Sequence, residues 1–290
     1  MNRRDLFKAI PALAAATQLH GQSQPKCNCR LRPGLVGYSF GKEVGEKTMT
    51  YEALIRLTSE LGLDGLDTTV YWFPEKSDKY FASLRALAYK NAVNLYTLGT
   101  GVRFCQPTPE LRQATVDQVK QWVQVALKLG ASHIRVFGGD TPKGATEAQA
   151  LEWAVEVMKR CADVAGAAGI VLGIEDDFGL STTAEQTLAL VKKADSPWVG
   201  INLDTGNFPK NGYSGVAMCI PYATSVHLKT TITDENGKEV KADWDRLFGM
   251  FASAGYKGYL SLEYEGKEGP ETAVPRLAPE MRRLAAKYSA

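Results

Sequence analysis

Short apolar runs that end in one polar residue recur along the second half of the chain: Val171-Leu-Gly-Ile-Glu175, Val199-Gly-Ile-Asn-Leu-Asp204, Ser225-Val-His227 and Gly258-Tyr-Leu-Ser-Leu-Glu263. Roughly two to three dozen residues separate one terminal polar residue from the next, the length of a strand plus its crossover helix. A strand buried on both faces reads as a continuous apolar run. Each terminal polar residue therefore falls where a strand leaves its sheet. The first half carries matching runs at Leu35 to Phe40, Gly65 to Thr69, Leu95 to Thr100 and Ile134 to Phe137, which predicts eight strands. Helix punctuation lies between them. Thr108 precedes Pro109, Thr146 with Gln149 and Thr183 with Gln186 have capping-box spacing, and Gly62, Gly130, Gly169 and Gly255 stand at helix stops. Tyr213 to Ala223 is the weakest segment, and its Pro221 predicts an abbreviated sixth helix.

Eight strands alternating with helices predict an α/β protein that closes into a single-domain (β/α)8 TIM barrel over residues 35–290. An open doubly wound sheet is the alternative, but no Gly-x-Gly-x-x-Gly turn follows the first strand. With 290 residues, 44% of them hydrophobic, the chain is long enough for one such barrel. Formal net charge is +2 with no sustained basic run, which excludes the electrostatic footprint of a nucleic-acid or anionic-membrane partner. The expected partner is a small neutral or mildly polar molecule.

Residues 1–24 are set apart. Arg3-Arg4-Asp-Leu-Phe-Lys8 resembles a twin-arginine export signal, and an apolar stretch from Ala9 to Ala16, too short to span a bilayer, follows it. Export to the periplasm is the expectation, with residues 25–34 as a linker. Five cysteines are too few for a disulfide scaffold at this length. Cys27 and Cys29 are expected in an unstructured or redox-labile linker. Cys105, Cys161 and Cys219 read as small buried hydrophobes.

In a barrel of parallel strands, all strand ends share one face, where catalytic groups gather. An isolated buried carboxylate is costly unless it is paired, solvated or holding a cation. Three carboxylates and one imidazole on that face, Glu175, Asp204, His227 and Glu263, point to a bound cation. His133 begins the fourth strand, at the opposite, stabilising face, and has no catalytic role.

The motifs Gly-Ile-Glu175-Asp-Asp, Asn-Leu-Asp204-Thr-Gly-Asn, Val-His227-Leu-Lys229 and Ser-Leu-Glu263-Tyr resemble the four C-terminal-half motifs of the xylose isomerase-like TIM barrels. That group of sugar isomerases and epimerases includes ketose 3-epimerases, hydroxypyruvate isomerase and inosose dehydratase. The resemblance implies one divalent metal on Glu175, Asp204, His227 and Glu263. A carboxylate-rich set with a single imidazole suits Mn2+ best, with Mg2+, Co2+ and Zn2+ as alternatives. It also implies that Glu175 and Glu263 exchange the proton during isomerisation or epimerisation of a ketose or keto-sugar, while Asp204 and His227 act as ligands.

Asp177 and Asn207 stand where many relatives carry histidines, and Thr230 follows Lys229 where they often carry aspartate. Asp177 and Asn207 are candidates for binding substrate hydroxyls, and Lys229 for stabilising an oxyanion or extending to solvent. Tyr38 and Trp72 follow the first two strands, where their rings can pack on a sugar's apolar face or on neighbouring loops. A lyase or dehydratase on the same scaffold and a non-catalytic carbohydrate-binding barrel remain open. A nuclease of the endonuclease IV type needs a histidine-rich site, and only His133 and His227 remain beyond the leader. Asp204-Thr-Gly206 matches an aspartic-protease motif in a single copy, on a scaffold unsuited to it.

Overall fold

The computed structural model describes residues 29–289; the leader with Arg3 and Arg4, and Cys27, lie outside the described residues. Ten strands are present among them: β1 (Arg30–Val36), β2 (Gly65–Thr69), β3 (Asn94–Arg103), β4 (His133–Phe137), β5 (Val171–Glu175), β6 (Val199–Asp204), β7 (Ala223–Leu228), β8 (Thr231–Thr233), β9 (Glu239–Lys241) and β10 (Lys257–Leu262). Eight close a barrel in the order β1-β10-β7-β6-β5-β4-β3-β2. Neighbours run parallel throughout, so the strand ends that carry Glu175 and Asp204 open on one face. The remaining pair, β8 and β9, forms a small antiparallel hairpin after β7, an insertion with no counterpart in the predicted pattern.

Nine α-helices accompany the strands among the described residues: α1 (Gly41–Gly45), α2 (Tyr51–Glu60), α3 (Asp78–Lys90), α4 (Pro109–Leu129), α5 (Glu147–Ala167), α6 (Ala184–Ala194), α7 (Gly212–Cys219), α8 (Trp244–Ser253) and α9 (Pro270–Tyr288). None is long and apolar enough to cross a membrane. Thr146 with Gln149 and Thr183 with Gln186 form complete capping boxes at α5 and α6, each satisfying two otherwise orphaned backbone donors. Gly130 ends α4 in the left-handed region at φ 81°, which glycine adopts without steric cost. The segment around Pro221 is short as expected: α7 stops at Cys219 and a 3-10 turn over Ile220–Tyr222 leads into β7.

Two expectations are corrected at the amino-terminal edge. The first strand begins at Arg30 rather than Leu35, because Arg30 to Leu35 pair with Lys257 to Leu262 of β10. Pro33 concealed this, since proline is rare in a central strand. Part of the supposed linker is thus barrel wall, and Gly37–Phe40 curls into a 3-10 turn that lifts Tyr38 over the barrel mouth. Cys29 is buried, with Sγ donating to the Tyr288 carbonyl at 2.8 Å, so it is structured rather than loose. Cys105, Cys161 and Cys219 are buried as expected.

Alternation along the strands divides the two faces of the barrel wall. Leu66, Ile134, Leu172, Ile174, Ile201, Leu203 and Leu260 are fully buried against the helices. Their neighbours Asp67, Arg135, Glu175, Asn202, Asp204, His227 and Ser261 face inward and are also buried. Toward the bottom of the interior, Tyr96 and Tyr259 stack with ring centroids 3.8 Å apart. Gly65 makes room for them: a Cβ there would meet Tyr259 at 2.5 Å and Tyr96 at 2.9 Å. His133 lies in the same interior, bonded to the Thr97 hydroxyl (3.1 Å) and the Thr224 hydroxyl (3.0 Å). Burial lowers its pKa to about 3, which keeps it neutral, as expected of a structural histidine.

Candidate metal centre

β5 and β6 end on Glu175 and Asp204, Glu263 immediately follows β10, and His227 sits one residue before the end of β7. Register brings them together: Asp204 lies opposite His227, and His227 opposite Ser261, two residues before Glu263. Each of the four offers one ligand atom, and these atoms all lie within 4.8 Å of one another. All four residues are buried.

The imidazole is held between carboxylates. His227 Nε2 is 3.0 Å from Asp67 Oδ2. Its Nδ1 lies 2.9 Å from Glu175 Oε1 and 3.1 Å from Glu263 Oε2, yet makes a hydrogen bond to neither. Asp204 Oδ1 accepts from Gly206 N at 2.8 Å, while Oδ2 has no hydrogen-bond partner and lies 3.3 Å from Lys229 Nζ. A buried imidazole nitrogen and carboxylate oxygen without hydrogen bonds, side by side, are what a coordinated cation satisfies.

The charge balance agrees. Asp67, Glu175, Asp176, Asp204 and Glu263 bring buried carboxyls into the barrel mouth, against Arg135, Lys229 and His227. Burial pushes the Asp204 carboxyl well above the usual range, and Lys229 only partly offsets it. Asp176 is likewise pushed well up by burial and by Asp204, to which it is tied through the Asp204 N–H at 2.7 Å. Burial also acts on Glu175 and Glu263, but Arg135 overcomes it for the first, and His227 with Lys229 for the second, so both stay ionised. For His227, burial is outweighed by Glu263, Asp67 and Glu175, and its pKa is raised well above the ordinary value. The donor set fits a divalent ion: it is oxygen-rich, with three carboxyl groups and one imidazole nitrogen.

Lys229 does not extend to solvent. Its ammonium is 3.0 Å from Glu263 Oε2 and contacts Glu265, while its backbone N–H donates to the Thr205 hydroxyl at 3.0 Å. Asp177, Asn207 and Tyr38 line the same cleft as Glu175, Asp204 and Glu263. Trp72 does not: it lines an adjoining apolar cleft, with its ring 5.5 Å from Tyr38.

Sequence reading missed Asp67, Arg135 and Glu265. Arg135 Nε is 3.2 Å from Glu175 Oε2, and its Nη1 donates to the Thr100 carbonyl at 2.9 Å. The signal that could have found Asp67 and Arg135 is that an ionisable residue inside a fully buried strand is rare unless paired. Asp67 holds the ring nitrogen of His227 that faces away from the other three ligands, the arrangement that fixes a ligating histidine's tautomer and orientation. Asp67→Asn is expected to weaken divalent-ion affinity by about 10- to 100-fold, measured by calorimetric titration of the metal-free protein. Unchanged affinity would reduce Asp67 to a buried hydrogen-bond partner.

The chain belongs to the Xylose isomerase-like TIM barrel family, which it matches over residues 55–285. No curated protein matches the sequence. Among similar solved structures is D-psicose 3-epimerase from Clostridium cellulolyticum H10 with D-tagatose, at 20% identity and a TM-score of 0.72, covering 89% of this chain and 99% of that one. The IOLI protein, with a zinc atom, is 15% identical at a TM-score of 0.70, covering 89% and 99%. A family member from Mycobacterium smegmatis in complex with magnesium is 17% identical at a TM-score of 0.70, covering 92% and 100%. At these identities the likeness is one of fold.

Proposed function

We propose that this protein is a divalent-metal-dependent isomerase or epimerase acting on a ketose or keto-sugar. The observation that carries this reading is the approach of two ionised glutamates, Glu175 and Glu263, from different strands to the same nitrogen of His227, with Asp204 beside them. Glu175, Asp204, His227 and Glu263 would hold the ion, Mn2+ by the hardness of the set, with Mg2+, Co2+ or Zn2+ as alternatives. When bound, it supplies a Lewis acid that acidifies the C–H beside a chelated carbonyl.

One glutamate removes the proton from the carbon next to the carbonyl; the C–H electron pair becomes a C=C bond and the carbonyl π pair moves onto the oxygen. The other, once it has taken a proton from solvent in the cleft, returns it to the opposite face of that carbon in epimerisation or to the neighbouring carbon in isomerisation, where the hydroxyl proton also passes to the former carbonyl oxygen. Arg135 keeps Glu175 anionic and fixes its direction through Oε2, leaving Oε1 toward His227. Lys229, with its ammonium in the cleft, is placed to stabilise the oxygen on which charge develops. Asp177 and Asn207 face the cleft with groups suited to hydroxyls.

The test is deuterium uptake from heavy water. A panel of free ketoses and inososes incubated with protein and Mn2+ should include a substrate that gains deuterium next to its carbonyl. Exchange followed by loss of water identifies a lyase. A fully metal-loaded protein that exchanges none of the panel is a non-catalytic barrel.

We further propose that the protein is exported to the periplasm in folded form. Arg3→Lys combined with Arg4→Lys should leave the precursor in the cytoplasm, detected by fractionation. Unimpaired export of that variant overturns the leader reading.

A further inference from the structure

The cleft over the metal centre has a buried floor and an exposed rim. Glu175, Asp204 and Glu263 form the floor with Arg135 and Lys229, and the rim carries Asp177, Glu265, Tyr38 and Tyr71. Among the described residues, Arg135 and Lys229 are the only cations that line it. Neither is open to an incoming anion. Arg135 is 5% exposed, with Nε 3.2 Å from Glu175 Oε2 and Nη1 donating to the Thr100 carbonyl at 2.9 Å.

Lys229 is enclosed more fully. An ammonium has three N–H donors, and this one meets Asp204 at 3.3 Å, Glu263 at 3.0 Å and Glu265. Its stem is seated against the end of β6, where a Cβ at Gly206 would meet Lys229 Cγ at 2.7 Å. Asp204 and Glu263 belong to the metal centre, so their contact with the ammonium needs no further reason. Glu265 does not belong to it. Its side chain is 49% exposed, and an ion pair at such a position contributes little to stability. What it does is cover the ammonium from the rim.

We propose that Glu265 is a specificity residue that reserves this site for uncharged sugars, without phosphate or carboxylate groups. By pairing with Lys229 it takes the N–H that such a group would need, and it sets a carboxylate at the entrance in its place. A site rejects a ligand by leaving the ligand's charge unpaired, as much as it selects one by contact. Hydroxyls lose nothing by this arrangement. Asp177 and Glu265 accept from them, Asn207 both accepts and donates, and the exposed rings of Tyr38 and Tyr71 offer apolar surface to C–H groups. This inference rests on the reading of the metal centre as a sugar site.

The test compares free with phosphorylated ketoses on the Mn2+-loaded full chain. Fructose, tagatose and psicose and their 6-phosphates are titrated by calorimetry; the carbonyl end is common to each pair, so the difference reports the distal charge. At least one free ketose should bind about tenfold or more tightly than its ester, the scale of an unpaired like charge. Glu265→Gln should narrow that preference about threefold or more, by admitting the ester, with a melting temperature near wild type. Raising salt from about 0.1 M to about 1 M shortens the screening length from about 10 Å to about 3 Å and should narrow the wild-type preference as well.

If no free ketose is preferred over its ester, the proposal falls. A preference that neither Glu265→Gln nor salt narrows is one of size rather than charge, and overturns it equally. The proposed reaction is judged separately, by deuterium uptake on the same pairs. Uptake into esters as readily as into free ketoses removes Glu265 as a specificity residue and leaves the reaction standing. A Glu265-dependent preference for free ketoses without uptake into any of them does the reverse.

Discussion

Replacing Glu175 or Glu263 by Gln is expected to lower deuterium uptake into a substrate ketose by about 100-fold or more each, the scale of a lost acid–base group. Gln keeps the side-chain length and one oxygen ligand but cannot accept a proton at neutral pH. Loss of rate must therefore be compared at equal metal content, measured on the same samples. The two variants should differ in stability. Glu175 is the carboxylate that answers the buried Arg135 at 3.2 Å, so Glu175→Gln leaves a buried guanidinium without its charge partner, a defect that costs about 3–5 kcal/mol. Glu263 has two cationic neighbours, His227 and Lys229, and both keep other carboxylates when it is neutralised. Glu263→Gln should therefore unfold closer to wild type. Exchange that persists in both variants with the ion bound would falsify the two-carboxylate mechanism while leaving the metal centre intact.

How far sequence reading reached follows from what kind of pattern each residue belonged to. Glu175, Asp204, His227 and Glu263 close apolar runs at regular spacing, so their strands and their common face were legible, and the closed barrel follows from the same regularity. Asp67 and Arg135 sit inside such runs, where a polar residue disturbs the apolar pattern without announcing its partner. Their partners, His227 and Glu175, are 160 and 40 residues away in sequence and meet them only across the barrel interior. The β8–β9 hairpin is too short to show an apolar period, and Arg30 to Gly34 was masked by Pro33. Trp72 was placed on the correct face, but which of two neighbouring clefts it lines depends on how it packs against Gly41 and Tyr38.

His227→Ala is expected to abolish the thermal stabilisation that a divalent ion confers. At an ion concentration about 100 times Kd, binding to the native state alone stabilises it by about 2.7 kcal/mol. For a domain of this size that raises Tm by roughly 5–10 °C. The variant lacks the only nitrogen ligand and leaves Asp67 buried with no hydrogen-bond partner from the imidazole. It should therefore also melt lower than wild type before any metal is added. Although it sits near a strand end, His227 is only 1% exposed and belongs to the buried interior. Baseline loss by itself does not separate a ligand from a core histidine. The increment on adding Mn2+ does: a core histidine leaves it unchanged, and a ligand removes it. The increment in the wild type should also shrink as pH falls, since the carboxylates around His227 raise its pKa and the ion must displace that proton to bind. A variant that keeps the full Mn2+ shift at neutral pH would place the ion elsewhere and remove His227 from the metal centre.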